Sequence, residues 1–283
     1  MLKAVGIGDS WGAYIRDTVG AGQGGLFDAI GQVSGVTILN CADAGDSSEQ
    51  TSGLKRLSRF RPMLPGCQII FVSTGGDDIA GDQFRILIRP RSSCGGDVSK
   101  ALYGDRLLAF LAVISADLEE IVAERDTYCS DAWIVTHEYD RVVPSQSGQG
   151  VLWLGPWMSP GFHDRGWDDP TERCQIANGI LAAYSSNLQS MAKSSRHWIH
   201  VPTQGTCAQV FGGDGSNGWA NEMHLNAAGF NALAQVINAQ AVIPILNQIS
   251  PPAPPQPTPS LISPAPDAST PGTPPLPFSP VVP

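Results

Sequence analysis

Five short apolar runs, each ending in a turn-forming stretch, constrain this chain more than any other feature. They are Ala4 to Ile7, Val36 to Leu39, Gln68 to Ser73, Ala132 to Thr136 and Trp198 to Val201. Short continuous apolar runs of this kind are what strands buried on both faces look like. Longer segments with helical periodicity lie between or after them, at Gly104 to Arg125, Thr171 to Ala192 and Ala227 to Ile243. Alternation of strand and helix implies a parallel sheet covered on both faces by right-handed crossovers. The expected fold is therefore α/β, with any ligand site at the carboxyl ends of the strands.

The chain has 283 residues, of which 42% are hydrophobic, enough for one sizeable α/β domain or a small pair. One domain over residues 1–249 is the simpler reading. From Ser250 the composition turns to Pro, Ser and Thr, as in Pro251-Pro252-Ala253-Pro254-Pro255, which cannot build a hydrogen-bonded element. Residues 250–283 are expected to be a disordered, Pro-rich tail. It is either a spacer or docking peptide for a proline-recognising partner, or a solvated terminus with no partner. A second irregular stretch, Glu138 to Asp169, is long enough to be a lid or binding loop over the same sheet edge.

A net charge of -9 argues against nucleic acid as a partner, because phosphate binding needs concentrated Lys and Arg. Met1 to Gly8 runs straight into the first strand without a signal-peptide pattern, so the expected location is the cytoplasm, with export by another route or association with a larger particle left open. No stretch reads as long and apolar enough to span a bilayer. The six cysteines are scattered, without zinc-type spacing, so no metal or other cofactor is expected; free buried thiols are favoured, although an even number permits disulfides.

Four segments at strand ends or helix starts carry the chemistry. Gly8-Asp9-Ser10 follows the first strand and would expose the Ser10 hydroxyl at the mouth of the sheet, which suits a nucleophile; the same tripeptide is also a common structural turn. Asn40 to Ser47 includes Gly45, whose backbone could approach a developing oxyanion closely, or simply make a tight turn. Ser73 to Gly81 includes Asp77 and Asp78, which would form a polar wall; metal binding is the alternative, without further ligands nearby. Trp219 to Phe230 includes His224, a candidate general base for Ser10.

In this order the segments resemble the four blocks of the SGNH (GDSL-type) hydrolase superfamily. Further likeness runs through Gly8-Asp9-Ser10-Trp11, Gly75-Gly76-Asp77-Asp78-Ile79-Ala80-Gly81, His137-Glu138-Tyr139-Asp140, Gly155-Pro156-Trp157 and Trp219-Ala220-Asn221-Glu222-Met223-His224. The resemblance implies a flavodoxin-like three-layer sandwich and hydrolysis of esters or thioesters. It implies Ser10 as nucleophile, His224 as base, and Ser10, Gly45 and Asp77 as the oxyanion hole.

Two positions depart from the family pattern. The family places Asn where this chain has Asp77, and an ionised carboxylate accepts hydrogen bonds and repels an oxyanion instead of donating to it. Asp77 is then protonated, turned away, or the mark of a weakened enzyme. The family acid three residues before the His is here Asn221, with Glu222 beside it; Asn221 through its amide oxygen, Glu222 or a backbone carbonyl is expected to orient His224. Trp11, Trp153, Trp157, Trp167 and Trp219 lie in or near the site loops, where Trp11, Trp157 and Trp219 are candidate substrate contacts or anchors for the loop. The resulting expectation is a serine esterase acting on a small ester or an O-acetylated carbohydrate. The competing expectation is an SGNH-fold module that binds a carbohydrate or other ligand without the chemistry.

Overall fold

The computed structural model describes residues 2–13, 24–79, 84–142, 144, 157–193 and 196–249. Five strands form one sheet: β1 (Ala4–Gly8), β2 (Ile38–Asn40), β3 (Ile69–Ser73), β4 (Trp133–His137) and β5 (Trp198–Val201). Their order is β2-β1-β3-β4-β5 and every neighbouring pair is parallel. The chain order reverses between β1 and β3, so a crevice opens there at the carboxyl ends of the strands.

Every residue of β1, β3 and β4 is buried, while β2, at the sheet edge, is half exposed. All five apolar runs are strands; Trp198–Val201 matches its run at both ends and the other four differ by a residue or two. The helices among the described residues are α1 (Leu26–Ser34), α2 (Ser48–Ser52), α3 (Leu54–Phe60), α4 (Gly76–Ile79), α5 (Phe84–Leu87), α6 (Gly104–Tyr128), α7 (Ser159–Asp164), α8 (Pro170–Met191), α9 (Thr206–Phe211), α10 (Ala227–Ile237) and α11 (Ile243–Ile249). Several begin where a side chain caps them. Asp169 accepts from Thr171 N–H and Glu172 N–H ahead of Pro170, which supplies a preset φ and lacks the amide hydrogen that would go unused. Asn226 does the same for α10 through Gly229 N–H, at 3.0 Å.

The last helical segment is longer than its periodicity implies. A π-helical turn, Asn238–Val242, joins α10 to α11. Pro244 accounts for it: the ring lacks an amide hydrogen and collides with the carbonyl four residues back, and the wider turn at Gln240 absorbs both defects. Joined in this way, Ala227–Ile249 is a run of 23 residues whose most apolar 18-residue window has mean hydropathy 1.3. Half of its most apolar stretch is buried and α10 packs on α1 and α9, as a core helix does. The six cysteines are free thiols, as expected. The Pro-rich stretch 250–283, Trp153 and Gly155-Pro156 lie outside the described residues.

Candidate active site

The turn that carries Ser10 is built by its neighbours. Gly8 has φ +152°, and a Cβ there would sit 1.8 Å from the Ser73 carbonyl oxygen, so only glycine lets β1 end this close to β3. Asp9 then closes the turn: its N–H donates to Ser73 O at 2.7 Å, and its carboxylate accepts from Trp11 N–H at 3.0 Å. The other Asp9 oxygen accepts from the Tyr139 hydroxyl, which itself accepts from Gly76 N–H at 3.0 Å. One phenol at the end of β4 thus ties the nucleophile turn to the start of α4. Burial and the charge of Asp77 push the Asp9 carboxyl well above the usual carboxylate range.

Ser10 Oγ lies 2.8 Å from His224 Nε2. The orientation of the imidazole follows from Asn221. Asn221 Oδ1 accepts from the backbone N–H of Met223 at 2.9 Å and of His224 at 2.8 Å, which identifies it as the oxygen of the amide. The same oxygen stands 3.1 Å from His224 Nδ1 and can only accept, so Nδ1 carries the hydrogen. Nε2 is left with its lone pair toward the Ser10 hydroxyl. Burial lowers the His224 pKa to about 4, so the ring is a neutral base across the mildly acidic and neutral range.

Asp77, in α4, shares a cavity wall with Ser10 and Trp11. Its Oδ2 is buried and meets no hydrogen-bond partner among the described residues. Burial, then the charges of Asp78 and Asp46, raise its pKa to about 6. Beyond Asp77 the cavity turns apolar, walled by Ile79, Phe84, Met158, Ile180 and Leu181, and its volume is only about 30 Å³.

The remaining expected residues divide. Gly45 sits in an exposed turn with φ +85°, after Asp43 N–H has bonded Gly8 O at 3.0 Å, so the turn is anchored to the strand that ends at the nucleophile. Trp157 packs edge-on against the His224 ring, with centroids 5.3 Å apart. Trp11 is not an exposed stacking platform: it is buried, with Tyr139, Trp219 and Phe230 against it, and its indole N–H donates to Met223 O at 2.8 Å. Its place is to hold the His224 segment onto the Ser10 turn. Trp219 is partly buried against Trp11, and Trp167 is fully buried with its N–H on Arg89 O, away from the nucleophile.

Glu222 also differs from expectation. Its carboxylate accepts from Trp157 N–H, from Met158 N–H at 2.8 Å and from Ser159 Oγ at 3.0 Å. In the bend over residues 220–223, closed by Ala220 N–H on His224 O at 2.8 Å, Asn221 faces the ring and Glu222 ties down the segment entering α7. Tyr139, by contrast, had no assigned role in the sequence. The signal was there in a polar run, His137-Glu138-Tyr139-Asp140, placed at the carboxyl end of a buried strand.

No protein-family model matches the sequence, and no curated protein matches it. The three-dimensional comparison is positive. The chain superposes on the lipase Lip_vut3 from a goat rumen metagenome with a TM-score of 0.56 and 12% identity, over 85% of this chain and 98% of that one. That lipase and this chain share one fold. Phospholipase A1 from Streptomyces albidoflavus NA297 has it as well, with a TM-score of 0.52 and 16% identity over 85% of this chain and 99% of that one. Ser10, Asp77 and His224 come together at the carboxyl edge of the parallel sheet, with Ser10 at the end of β1 and Asp77 just past β3.

Proposed function

We propose that the protein is a serine carboxylic ester hydrolase that works through an acyl-enzyme on Ser10 and prefers a short acyl group. The observation that carries this reading is the 2.8 Å contact from Ser10 Oγ to an imidazole whose tautomer Asn221 fixes. Ser10 Oγ attacks the ester carbonyl carbon while its proton passes to His224 Nε2. The carbonyl π-bond electrons move to oxygen, and collapse of the tetrahedral intermediate expels the alkoxide, which takes the proton from His224. Water then repeats the sequence on the acyl-enzyme and restores Ser10. Asn221 keeps Nδ1–H in place, although it offers the imidazolium a dipole and not a charge.

Asp77 in its acid form is a hydrogen-bond donor beside the reacting carbonyl, with Ser10 N–H and Gly45 N–H as further candidates. The acyl group enters the apolar cavity. A water-sized occupant needs about 10–15 Å³ by the same measure, so 30 Å³ has room for roughly two or three heavy atoms, the size of an acetyl group. The leaving alcohol faces solvent and Trp157, which is compatible with a sugar hydroxyl.

The test is hydrolysis of p-nitrophenyl acetate, butyrate and octanoate by the intact chain and by Ser10→Ala. Activity that falls with acyl length and disappears in Ser10→Ala is the expected result. An unchanged rate in Ser10→Ala, or no hydrolysis at any pH from 4 to 8, refutes it; retained carbohydrate binding in the latter case would support the binding-module reading.

A further inference from the structure

The oxyanion side of this site is crowded with carboxyl groups. Asp77 is acted on by Asp78 beside it in α4 and by Asp46 from the turn after β2, and it acts in turn on Asp9 at the end of β1 and Tyr139 after β4. His224 faces the same nucleophile from the α10 side. The cation set into this arrangement is Arg56 of α3, a buried residue.

Arg56 reaches the turn that carries Gly45 from both ends. Its guanidinium pairs with Asp43, two residues before Gly45, and with Asp46, one residue after, where Nε donates at 2.9 Å. Nη1 also donates to Cys41 O at 3.3 Å, at the point where the chain leaves β2. A fork of fixed shape bonded at three places sets the path of Cys41 to Asp46, which a flexible ammonium cannot do. Arg59 touches only the exposed outer face of the cluster, through Asp43 at 2.9 Å.

We propose that Arg56 is the positioning residue of the oxyanion side: it grips the Gly45 turn at both ends and, bonded to Asp46, offsets part of the negative charge that faces Asp77. This rests on the esterase reading for its kinetic part, but its electrostatic part does not. Arg56→Gln leaves Asp46 uncompensated, so Asp77 holds its proton to higher pH. Arg56→Lys keeps the charge and loses the fork, so Asp77 stays where it was while the turn loosens.

The experiment is a ¹³C-carboxyl NMR titration of Asp77 in the full chain and in Arg56→Gln, Arg56→Lys, Asp46→Asn and Asp46→Asn/Arg56→Gln, alongside ester kinetics on each. Arg56→Gln is expected to raise the Asp77 midpoint by on the order of half a pH unit or more. Arg56→Lys is expected to leave the midpoint in place and to lower kcat several-fold at unchanged KM. In the Asp46→Asn background, Arg56→Gln is expected to move the midpoint much less. An Asp77 midpoint that ignores Arg56→Gln, or one that shifts equally with and without Asp46, overturns the proposal. If the midpoints move as expected while no variant and no parent chain hydrolyses ester, the clamp stands and the esterase reading fails.

Discussion

Replacing Asp77 by asparagine tests the chemistry of this site most directly, because it exchanges a donor present only at low pH for a permanent one. With a pKa of about 6, Asp77 is protonated in about nine-tenths of molecules at pH 5 and about one-tenth at pH 7. His224, lowered to about 4, is already a free base at both. The parent chain is therefore expected to work best between about pH 4 and 6, with kcat/KM rising as His224 loses its proton and falling as Asp77 loses its own. From pH 5 to pH 7 the fall is about tenfold, below the 10²–10³ that complete loss of one oxyanion donor commonly costs, because about one-tenth of Asp77 is still protonated at pH 7. Asp77→Asn abolishes the alkaline fall, leaves the acid limb where it is, and raises kcat/KM at pH 7 by about tenfold. Stability moves in the same direction. A carboxyl raised from 3.8 to about 6 destabilises the fold as pH rises through that interval, so the variant gains up to about 3 kcal/mol at pH 7 and little below pH 4. The assay is initial-rate kinetics on p-nitrophenyl acetate from pH 3.5 to 8, corrected for spontaneous hydrolysis, with thermal melts at pH 4 and 7. A variant that still loses activity between pH 5 and 7, or that is slower than the parent at pH 7, refutes the donor role.

Three other substitutions probe the surrounding groups. Asn221→Asp supplies the missing negative charge beside Nδ1, and the acid limb set by His224 is expected to move up from about pH 4 by a unit or more, read from the same rate profile. Glu222→Gln is expected to leave that limb in place, because Glu222 bonds the segment entering α7 and not the ring; a melting temperature lower by several degrees is its expected signature. Tyr139→Phe removes bonds to Asp9 and Gly76 at once, and the expected result is a kcat reduced at least tenfold with KM within twofold, measured on the acetate ester.

The strands of this fold were legible because buried parallel strands leave continuous apolar runs, and Trp198–Val201 coincides with its run at both ends. Ser10 and His224 were legible for a related reason: each follows or precedes an element whose end is marked by glycine or a capping residue. Direction was not legible. Asn221 and Glu222 are neighbours of similar polarity, and only the path of the backbone decides that the amide faces the imidazole while the carboxylate faces Met158 and Ser159. The direction of Trp11 was hidden for the same reason, since an indole in a site loop reads alike whether it points outward or, as here, lies against Tyr139 and Phe230 as part of the wall of the cavity beside Ser10. The π turn was hidden because a proline inside an apolar helical pattern usually marks an end, and the relief it needs is spread over five preceding residues.

The Tyr139 hydroxyl has a consequence for how such a protein can change. Because one rigid ring spans from the nucleophile turn to the head of α4, it acts as a ruler laid across three strand ends, and the interval it measures belongs to the sheet. Loops around the rim can then diverge in length and sequence without recalibrating the reaction. Substitutions along the rim leave the two bonds of that ring, to Asp9 and to Gly76, where the sheet sets them.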